Sequence, residues 1–501
     1  MFSYSNPLSV SVKADGRWHK ASGEISIENN AVYLTASHAS WVRLDWSASF
    51  SPDARVLRDA WERTYGDIEW QPIGIPMFSP WYVSVRDGGM TRCFGVKTGP
   101  AALCSWSLNC NSISLLMDVR CGCKDTQLDG RRVLLAELVS SESVGDPYDA
   151  IHNFCCLMCD HPKLPAQPIY GGDDWYATYS DNSFDRILRH ARILAECSQG
   201  LSNRPYQMID AGWQLCHNWF PGEEYIGGPF RYCNSKFGSM KDMADAIREL
   251  DVRPGIWIRP LETVEYLPEH AFLRRNKNIK YLDPSHPAAQ EILDNDIRTL
   301  HSWGYDMIKW DFLVVDTFGS YGFAMSESVT EGDWSFYETH KTSAEIVREY
   351  YQRTVDAAEG SLINTCNTFS HLSAGIFSSF RIGDDTSGLD YARTVKMGVN
   401  TLAFRGVQHK AMYSVDADCV GITHNIPWEK NLEWLRLLQY SGTPLMVSVE
   451  DASYTPAVRD AITEGFALAS VPHETARPLD WDEGLTPRHW LTFDGEKEFN
   501  W

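Results

Sequence analysis

Hydrophobic and polar positions alternate with a strand-like period through the first 140 residues. The stretches AVYLTASHASWVRLDWSASF and SISLLMDVRCGCK carry β-branched and aromatic residues in alternation or in short runs. Gly, Asn, Asp and Pro separate such stretches at strand-length intervals, and long segments with a helical period are missing. This pattern is typical of antiparallel sheets. It predicts an N-terminal antiparallel β-sandwich domain over residues 1–140.

The pattern changes over residues 141–167. DPYDAIHNFCCLMCDHP has the apolar spacing of a helix, and PKLPAQP follows it as a proline-rich stretch. We interpret these residues as a linking helix and a stiff linker.

From residue 168, short apolar runs alternate with amphipathic helical stretches. Alternating β and α units predict a parallel sheet, and eight units over 168–451 fit a (β/α)8 TIM barrel. A doubly wound open sheet is the alternative, but no Gly-rich phosphate loop follows the first strand. The eight candidate strands lie in QPIYGGDDW, PYQMIDAGW, VRPGIWIRPL, YDMIKWDF, SLINTCN, SFRIGDD, KAMYSVDAD and TPLMVSVED.

The remaining residues, 452–501, read as a short C-terminal β-module. Their last part, VPHETARPLDWDEGLTPRHWLTFDGEKEFNW, contains one or two candidate strands and stops abruptly at Trp501. This module is either minimal or cut short.

The fourth candidate strand, YDMIKWDF, places a lysine and an aspartate in an apolar run. Burying ionised side chains in an apolar core is costly. With a period of two, alternate residues share a face, and the inward face of a barrel strand rises toward the active rim. We therefore expect Lys309 and Asp311 to point into a pocket, and no helix is predicted within three residues of Asp311. The inward set is Met307, Lys309 and Asp311, and the set under the helices is Ile308, Trp310 and Phe312.

Polar and aromatic residues follow the other candidate strands as well. An isolated aspartate at such a place often caps the next helix. Several acids converging on one rim instead favour a functional site, because like charges repel unless they are paired or bound to a ligand. In strand order these residues are Asp173, Asp174, Trp175, Asp210, Trp213, Trp257, Arg259, Cys366, Asn367, Arg381, Asp384, Asp385, Asp416 and Asp418.

Two carboxylates, aromatic side chains and a neutral ligand suggest glycoside hydrolysis. Metal binding is the competing use of such a cluster. No histidine stands at these strand ends, which disfavours zinc or iron, and the missing phosphate loop disfavours Mg²⁺ with phosphate. We therefore expect no metal and no organic cofactor.

The net charge is −21, from 66 acidic and 45 basic residues. Such a surface repels phosphate backbones and anionic lipids, so neither nucleic acid nor membrane is an expected partner. A small neutral or cationic ligand is easier to accommodate.

The 13 cysteines have irregular spacing, and neither CGC nor CCLMC is completed to a metal-binding set. We interpret them as reduced, buried structural thiols. The N-terminus lacks the features of a signal peptide, and no apolar stretch approaches the roughly 20 residues that span a bilayer. These observations favour the cytoplasm.

Five segments in order resemble the retaining α-galactosidases of glycoside hydrolase families 27 and 36. They are MIDAGW, IKWDF, RIGDD, DADCVG and GTPLMVSVED, and the likeness covers 168–451. A β-sandwich before the barrel and a β-module after it are the layout of family 36. That family often oligomerises, so a homo-oligomer is an open expectation.

The resemblance implies roles for individual residues. Asp311 would be the nucleophile and Asp385 the general acid/base, with Asp384 as the rival for the second role. Asp385 should then have the drier or more anionic surroundings of the two catalytic acids. The residues implied to line the sugar pocket are Asp210, Lys309, Trp175, Cys366 and Arg381.

Two departures from the family pattern leave the identity of the substrate sugar undetermined. Ala211 follows Asp210 where the galactosidases carry two consecutive aspartates, and Asp173 or Asp174 would have to replace the missing contact. Arg259 stands where family 36 often has an acid. The expected activity is α-galactosidase-like hydrolysis of a neutral glycoside. The alternatives are another α-glycoside such as an α-N-acetylgalactosaminide, transglycosylation, or an inactive carbohydrate-binding protein.

Overall fold

The N-terminal domain consists of two antiparallel sheets and a two-stranded ladder, His38–Ala39 with Thr126–Gln127. The computed structural model describes residues 2–75, 77–217, 225–273 and 280–501. One sheet contains Ser9–Ala14, Arg17–Lys20, Trp41–Ser47, Phe78–Pro80, Leu103–Asn109 and Ser112–Asp118. The other contains Ile25–Glu28, Ala31–Thr35, Arg55–Arg58, Gln71–Pro72, Tyr82–Asp87, Met90–Val96 and Arg132–Val144.

Aromatic side chains join the two sheets in one core. The Tyr4 hydroxyl donates to the carbonyl of Val139 in the second sheet, at 2.8 Å. Its ring packs edge-to-face on Trp46 of the first sheet, with centroids 5.4 Å apart. Such aromatic pairs add to the stabilisation from burial itself.

A helix, Pro147–Met158, follows the sandwich. The side chain of Asp146 accepts from the backbone N–H of Tyr148, and proline occupies the first turn. Both features favour the start of a helix. This helix lies in the segment that the sequence indicates as the link between the domains.

The second domain is built on a nine-stranded parallel sheet. Each of the eight predicted segments contains an observed strand. The seventh contains Ser414–Asp416, and after a break at Ala417 and Asp418 the chain continues as a ninth strand, Cys419–Ile422, beyond the predicted segment. The strands on either side of this break form the outer strands of the sheet. In chain order the strands are Tyr170–Asp173, Tyr206–Ile209, Arg253–Ile258, Met307–Trp310, Leu362–Thr365, Ser379–Arg381, Ser414–Asp416, Cys419–Ile422 and Leu445–Val449.

Helices fill most of the connections between these strands. Ser183, Ser239, Thr342 and Thr455 each accept a backbone hydrogen bond at a helix start. The longer helices are Phe184–Cys197, Met240–Glu249, Pro287–Ser302, Ser343–Ala357, Trp428–Ser441 and Pro456–Ala469. The short α-helices are Trp175–Thr178, Leu313–Phe318, Ser370–Ser373, Tyr391–Thr394 and Asn400–Arg405, with a π-helix over Val395–Val399. Short 3₁₀ turns span Glu269–Ala271, Gly322–Ala324, Gly406–Gln408 and Asp451–Ser453.

The parallel sheet is curled. The first and fourth strands are three places apart in the strand order, which is roughly 14 Å in a flat sheet. Yet Lys309 of the fourth strand lies 2.8 Å from Asp173 of the first. One side chain can make this contact only because the inner face is concave.

The fourth strand alternates as expected up to Trp310 and then departs from the expectation. Met307 packs in an inner cluster with Met208 and Met446, and Trp310 packs on Tyr350 from a helix. The strand ends at Trp310, and Phe312 has a φ of 66°. A helix begins at Leu313. The expectations that Phe312 continues the outer face and that no helix follows Asp311 closely are therefore wrong.

The C-terminal part begins with a helix where a β-module was expected. Pro456–Ala469 packs on the parallel sheet, and the ring of Phe466 lies 5.0 Å from that of Tyr170. A three-stranded antiparallel sheet follows, made of Arg477–Pro478, His489–Thr492 and Gly495–Glu498. The β-structure of residues 452–501 thus starts only at Arg477.

All 13 cysteines are free thiols. Cys156 is exposed, and Cys110, Cys123, Cys216 and Cys233 are half-buried, which corrects the expectation of buried thiols at these positions. Within the described residues, no helix has the length and apolar character needed to cross a membrane.

Candidate active site

The polar residues singled out in the sequence gather at the carboxyl ends of the parallel strands. Asp173, Arg381 and Asp416 are the last residues of their strands, and Asp210 and Cys366 come directly after theirs. Since neighbouring parallel strands end at the same edge, these side chains meet on one face of the sheet.

Lys309 joins two carboxylates inside this site. Its Nζ lies 2.8 Å from Asp173 Oδ2 and 2.6 Å from Asp210 Oδ2, and all three side chains are buried. Burial alone would lower the pKa of Lys309, but Asp173 and Asp210 raise it well above its usual value. The lysine therefore stays charged and compensates the two aspartates.

Two N–H groups fix the carboxylate of Asp311. Trp257 Nε1 donates to Oδ2 at 3.2 Å, and the backbone N–H of Phe312 donates to Oδ1 at 2.7 Å. The second bond depends on the tight turn at Phe312, whose φ of 66° ends the strand. Asp311 is half-buried at the carboxyl end of the fourth strand, with its orientation set by its neighbours.

Asp385 lies among cations. Its Oδ1 is 3.2 Å from Arg381 Nη2 and 3.7 Å from Arg63 Nη1. Burial raises the pKa of Asp385, but Arg381 and then Arg63 outweigh it and lower the pKa below its usual value. The expectation of drier or more anionic surroundings for Asp385 is therefore wrong.

Asp384 is more enclosed than Asp385. Its carboxylate lies 3.0 Å from Arg63 and 2.7 Å from Arg393, one contact on each oxygen. Its side chain is 16% exposed, against 43% for Asp385. Of the two consecutive aspartates, Asp385 is the one more open to a ligand.

Arg381 connects the sixth strand to the split seventh segment. It forms ion pairs with Asp385 and Asp418, and its Nη1 lies 3.9 Å from the sulfur of Cys366. Asp418 also accepts from Tyr176 and Thr386.

Several residues predicted to bind substrate use their polar atoms within the protein. Asp174 is fully buried and accepts from Thr178, from Asn182 and from the backbone N–H of Asp210. Trp213 is also fully buried, and its Nε1 donates to the carbonyl of Trp257 at 2.9 Å.

Trp175 and Asp416 are two further residues that the sequence places at the strand ends. Trp175 is half-buried, with its ring 5.6 Å from that of Tyr179. Asn364 Nδ2 donates to Asp416 at 2.9 Å, and the other oxygen of Asp416 accepts from the backbone N–H of Asp418. Asp416 thus stabilises the break in the seventh segment.

Asn367 and Arg259 fix the short helix after the fourth strand. The Asn367 Oδ1 accepts from the backbone N–H groups of Val314 and Val315 at 3.0 and 3.1 Å. Arg259 makes a bidentate pair with Asp316 at 2.7 and 2.8 Å. Bidentate pairs of this kind are geometrically specific. Both side chains thereby position the turn that carries Asp311.

A segment of the N-terminal domain also enters the site, and no sequence motif indicated it. Thr64 forms a parallel bridge with Gly383, through Thr64 N to Ile382 O and Asp384 N to Thr64 O, both 2.8 Å. The segment WERTY, residues 61–65, therefore lies against the loop that carries Asp384 and Asp385.

Arg63 brings positive charge into the centre of the site. Burial lowers its pKa, but acidic groups around it, Tyr65 and Asp384 foremost, raise it well above its usual value. Asp385 and Asp311 act in the same direction. Arg63 therefore lies within the electrostatic influence of both predicted catalytic carboxylates.

Glu62, the residue before it, is almost fully buried. Its carboxylate accepts from Asn367, from the Tyr65 hydroxyl at 2.7 Å and from the backbone N–H of Gly322 at 3.0 Å. Burial raises the pKa of Glu62 to about 7, against the opposing effect of Arg63. The surrounding run, DAWERTYGD, is rich in charged and aromatic residues, but such a run does not indicate that the segment faces the parallel sheet.

In the described part of the chain, one group of three His, Cys, Asp or Glu side chains has ligand atoms within 4.8 Å of one another. It consists of Asp15, His38 and Asp125 in the N-terminal domain. These residues are not among those at the ends of the parallel strands.

The fold is that of α-galactosidases, including members of glycoside hydrolase family 36. TtGalA from Thermus thermophilus, solved with p-nitrophenyl α-D-galactopyranoside, has a TM-score of 0.64 and 16% identity, over 97% of this chain and 98% of that chain. AgaA from Geobacillus stearothermophilus has a TM-score of 0.60 and 14% identity, over 93% and 68%. The Lactobacillus brevis α-galactosidase has a TM-score of 0.58 and 12% identity, over 89% and 62%.

No protein-family model and no curated protein sequence matches the chain. At these identities the likeness establishes the fold, and the predicted resemblance to family 36 is confirmed at that level.

Proposed function

We propose that this protein is a retaining α-glycoside hydrolase acting on a neutral glycoside or oligosaccharide. The observation that carries the proposal is the contrast between two carboxylates at the carboxyl ends of the parallel strands. Asp311 is held by two N–H donors, whereas Asp385 is more exposed and lies between arginines. A nucleophile and an acid/base require two carboxyl groups with different environments.

The scaffold in this proposal is a closed (β/α)8 barrel. The outer strands of the parallel sheet are joined by only Ala417 and Asp418, so the two edges of the sheet belong to one segment. Arg381, from the strand beside one edge, and Tyr176, from the short helix after the first strand, both contact Asp418. These contacts support closure of the sheet through the seventh segment.

The reaction would proceed by double displacement. An oxygen of Asp311 attacks the anomeric carbon, the glycosidic C–O bond breaks, and the proton of Asp385 passes to the leaving oxygen. Asp385 then takes a proton from water, whose oxygen attacks the anomeric carbon and releases Asp311. Two inversions at one carbon give net retention.

Asp385 must acquire a proton before the first step. Arg381 and Arg63 lower the pKa of Asp385 and hold it ionised, because nearby cations favour the charged form. Sugar hydroxyls that bind to these arginines would compete with the carboxylate for their N–H groups, which raises the pKa of Asp385. Substrate binding would then switch on the acid.

The sugar is proposed to bind at Lys309, Asp210 and Arg381, as in the family that the sequence resembles. Ala211 is buried beside Asp210 and offers no polar side-chain atom where the galactosidases carry a second aspartate. This favours an α-glycoside other than a galactoside as the second candidate substrate.

A panel of aryl α-glycosides tests the proposal, with galactose, N-acetylgalactosamine, glucose and arabinopyranose as the sugars. NMR of the first product should show the α-anomer from the active substrate. A β-anomer would exclude Asp311 as the nucleophile. Saturable sugar binding without turnover on any substrate would instead identify a carbohydrate-binding protein.

A further inference from the structure

Glu62 is a buried carboxylate on which hydrogen-bond donors from three separate parts of the chain converge. Glu62 and Asn367 are each 1% exposed. One oxygen of Glu62 accepts from the Tyr65 hydroxyl at 2.7 Å and from the backbone N–H of Gly322 at 3.0 Å, and the other accepts from Asn367 Nδ2. All three of these groups donate, so the carboxylate serves as an acceptor through both of its oxygens.

The amide of Asn367 joins Glu62 to the short helix Leu313–Phe318. Its Oδ1 accepts from the backbone N–H groups of Val314 and Val315 at 3.0 and 3.1 Å, while its Nδ2 donates to Glu62. The first N–H groups of a helix have no partner within the helix, so a side-chain acceptor at this place fixes where the helix begins. Glu62 on one side and the helix start on the other therefore determine the orientation of the amide.

The helix begins directly after the turn that holds Asp311. Phe312, with a φ of 66°, donates its backbone N–H to Asp311 Oδ1 at 2.7 Å. The carbonyl of Phe312 accepts from the backbone N–H of Asp316 at 2.9 Å, within the helix. A displacement of the helix start therefore moves the N–H group that orients the carboxylate of Asp311.

A carboxylate is present at position 62 although it is costly to bury there. Burial raises the pKa of Glu62 to about 7, against the opposing effect of Arg63. A glutamine has nearly the same shape and carries no charge, but its amide presents one oxygen and one nitrogen. With the oxygen toward Tyr65 and Gly322, the nitrogen would face Asn367 Nδ2, and two donors would oppose each other. An ionised carboxylate satisfies both sides at once.

We propose that Glu62 is a positioning residue for Asp311 and acts through Asn367 and the start of the helix Leu313–Phe318. This inference rests on the proposed function, in which Asp311 attacks the anomeric carbon. It gives a residue of the N-terminal domain a part in orienting the nucleophile. The next residue, Arg63, lies 3.7 Å from Asp385 instead, so the two consecutive residues act on different catalytic carboxylates.

The test exchanges donor and acceptor between Glu62 and Asn367. Glu62→Gln places two donors opposite each other and should lower kcat/KM about ten- to a hundredfold. The loss should be equal for alkyl and dinitrophenyl leaving groups, because the nucleophile attacks in both reactions. The double variant Glu62→Gln/Asn367→Asp has the net charge of the parent and again gives each donor an acceptor, so it should recover most of the activity.

Asp296→Asn is the matched control. Asp296 is another acid that is 2% exposed, burial raises its pKa to about 7, and its partner is Arg231. Its replacement should lower the free energy of unfolding and leave kcat/KM unchanged. Full activity in Glu62→Gln, or no recovery in the double variant, would overturn the proposal. A loss confined to alkyl leaving groups would also overturn it, because the effect would then lie on Asp385.

Hydrogen exchange of the backbone amides of Leu313–Phe318 tests the positioning without turnover. Exchange should be faster in Glu62→Gln and return to the rate of the parent in the double variant, and unchanged exchange in Glu62→Gln would overturn the proposal. If the parent cleaves no glycoside but exchange changes as expected, the proposed function fails and the positioning of the Asp311 carboxylate stands. If Glu62→Gln does not fold, Asn367→Ser takes its place: equal losses for both leaving groups support the proposal, and an unchanged kcat/KM overturns it.

Discussion

The guanidinium group of Arg63 lies 3.0 Å from the carboxylate of Asp384 and joins the N-terminal β-domain to the loop after the sixth parallel strand. The same guanidinium reaches Asp385 at 3.7 Å. A residue of the first domain thus contributes to the charge around the proposed acid of the second. In the proposed reaction, the sandwich would thus contribute to the charge at the acid as well as to the scaffold.

Replacing Arg63 by Gln should move the basic limb of the kcat/KM profile to higher pH. Burial raises the pKa of Asp385, and Arg381 and Arg63 lower it. Without Arg63 the carboxyl keeps its proton to a higher pH, so the acid form persists further into the alkaline range. The measurement is kcat/KM against pH on an aryl glycoside.

Arg393→Gln is the matched control for that experiment. Arg393 also pairs with Asp384, at 2.7 Å, but its side chain is 40% exposed and it affects Asp385 less. We expect a smaller displacement of the basic limb. A limb that stays in place in Arg63→Gln, or moves more in Arg393→Gln, would show that Arg63 does not control the acid.

Substitution of the two proposed catalytic aspartates should lower kcat/KM in ways that depend differently on the leaving group. Asp311→Asn removes the nucleophile and should lower kcat/KM at least about a thousandfold on every substrate. Asp385→Asn should cost about 10²–10⁴-fold with an alkyl leaving group. The loss should be much smaller with a dinitrophenyl leaving group, which departs without protonation.

Asp384→Asn separates the neighbouring aspartates. Asp384 is enclosed by Arg63 and Arg393. The decrease in kcat/KM caused by Asp384→Asn should therefore be the same for alkyl and dinitrophenyl leaving groups. If Asp384→Asn shows that dependence and Asp385→Asn does not, the two assignments must be exchanged.

Lys309→Met should destabilise the folded protein by about 3–5 kcal/mol, because it leaves two buried carboxylates without their cation. The measurement is the free energy of unfolding from urea titration followed by circular dichroism. Lys241→Met, which removes a lysine from the solvent-exposed pair with Asp245, should leave the free energy of unfolding essentially unchanged. Similar values for the two variants would contradict the buried bridging role of Lys309.

Periodicity and strand topology were sufficient to find the parallel strands and the polar residues at their ends. The eight apolar segments are short, regularly separated by helical stretches, and carry their polar residues at the carboxyl end. That rule placed Lys309 at the same edge of the sheet as Asp173 and Asp210, which lie 136 and 99 residues before it in the sequence.

The positions of the strand ends could not predict that Arg63 lies in the site or that Arg259 forms an ion pair within the protein. Thr64 meets Ile382 across 318 residues, in a contact set by the packing of two domains. No local pattern in the sandwich indicates which of its loops faces the sheet. Arg259 directly follows the third strand, Arg253–Ile258. Its pairing with Asp316 depends on the left-handed turn at Phe312, a conformation that glycine would signal, and the sequence has no glycine there.

Two buried histidines should make the protein less stable in mild acid. Burial lowers the pKa of His371 and of His409 from 6.5 to about 3. The unfolded chain binds these protons near pH 6.5, and the folded protein does not until about pH 3. Each neutral histidine's contribution to the free energy of unfolding is therefore complete above pH 6.5. As the pH falls from 6.5 toward 3, each histidine lowers the free energy of unfolding by about 1.4 kcal/mol per pH unit.

His371→Gln isolates one of these contributions from the other groups that titrate. His371 stacks on Trp81 with centroids 5.2 Å apart, and its Nε2 lies 3.2 Å from the carbonyl of Val96, a bond that the glutamine amide can replace. The free energy of unfolding, from urea titrations at pH 7, 6 and 5, should fall less steeply in the variant than in the parent. The control His489→Gln, at an exposed position, should follow the parent. Parallel curves for the parent and His371→Gln would show that His371 does not remain neutral in the folded protein.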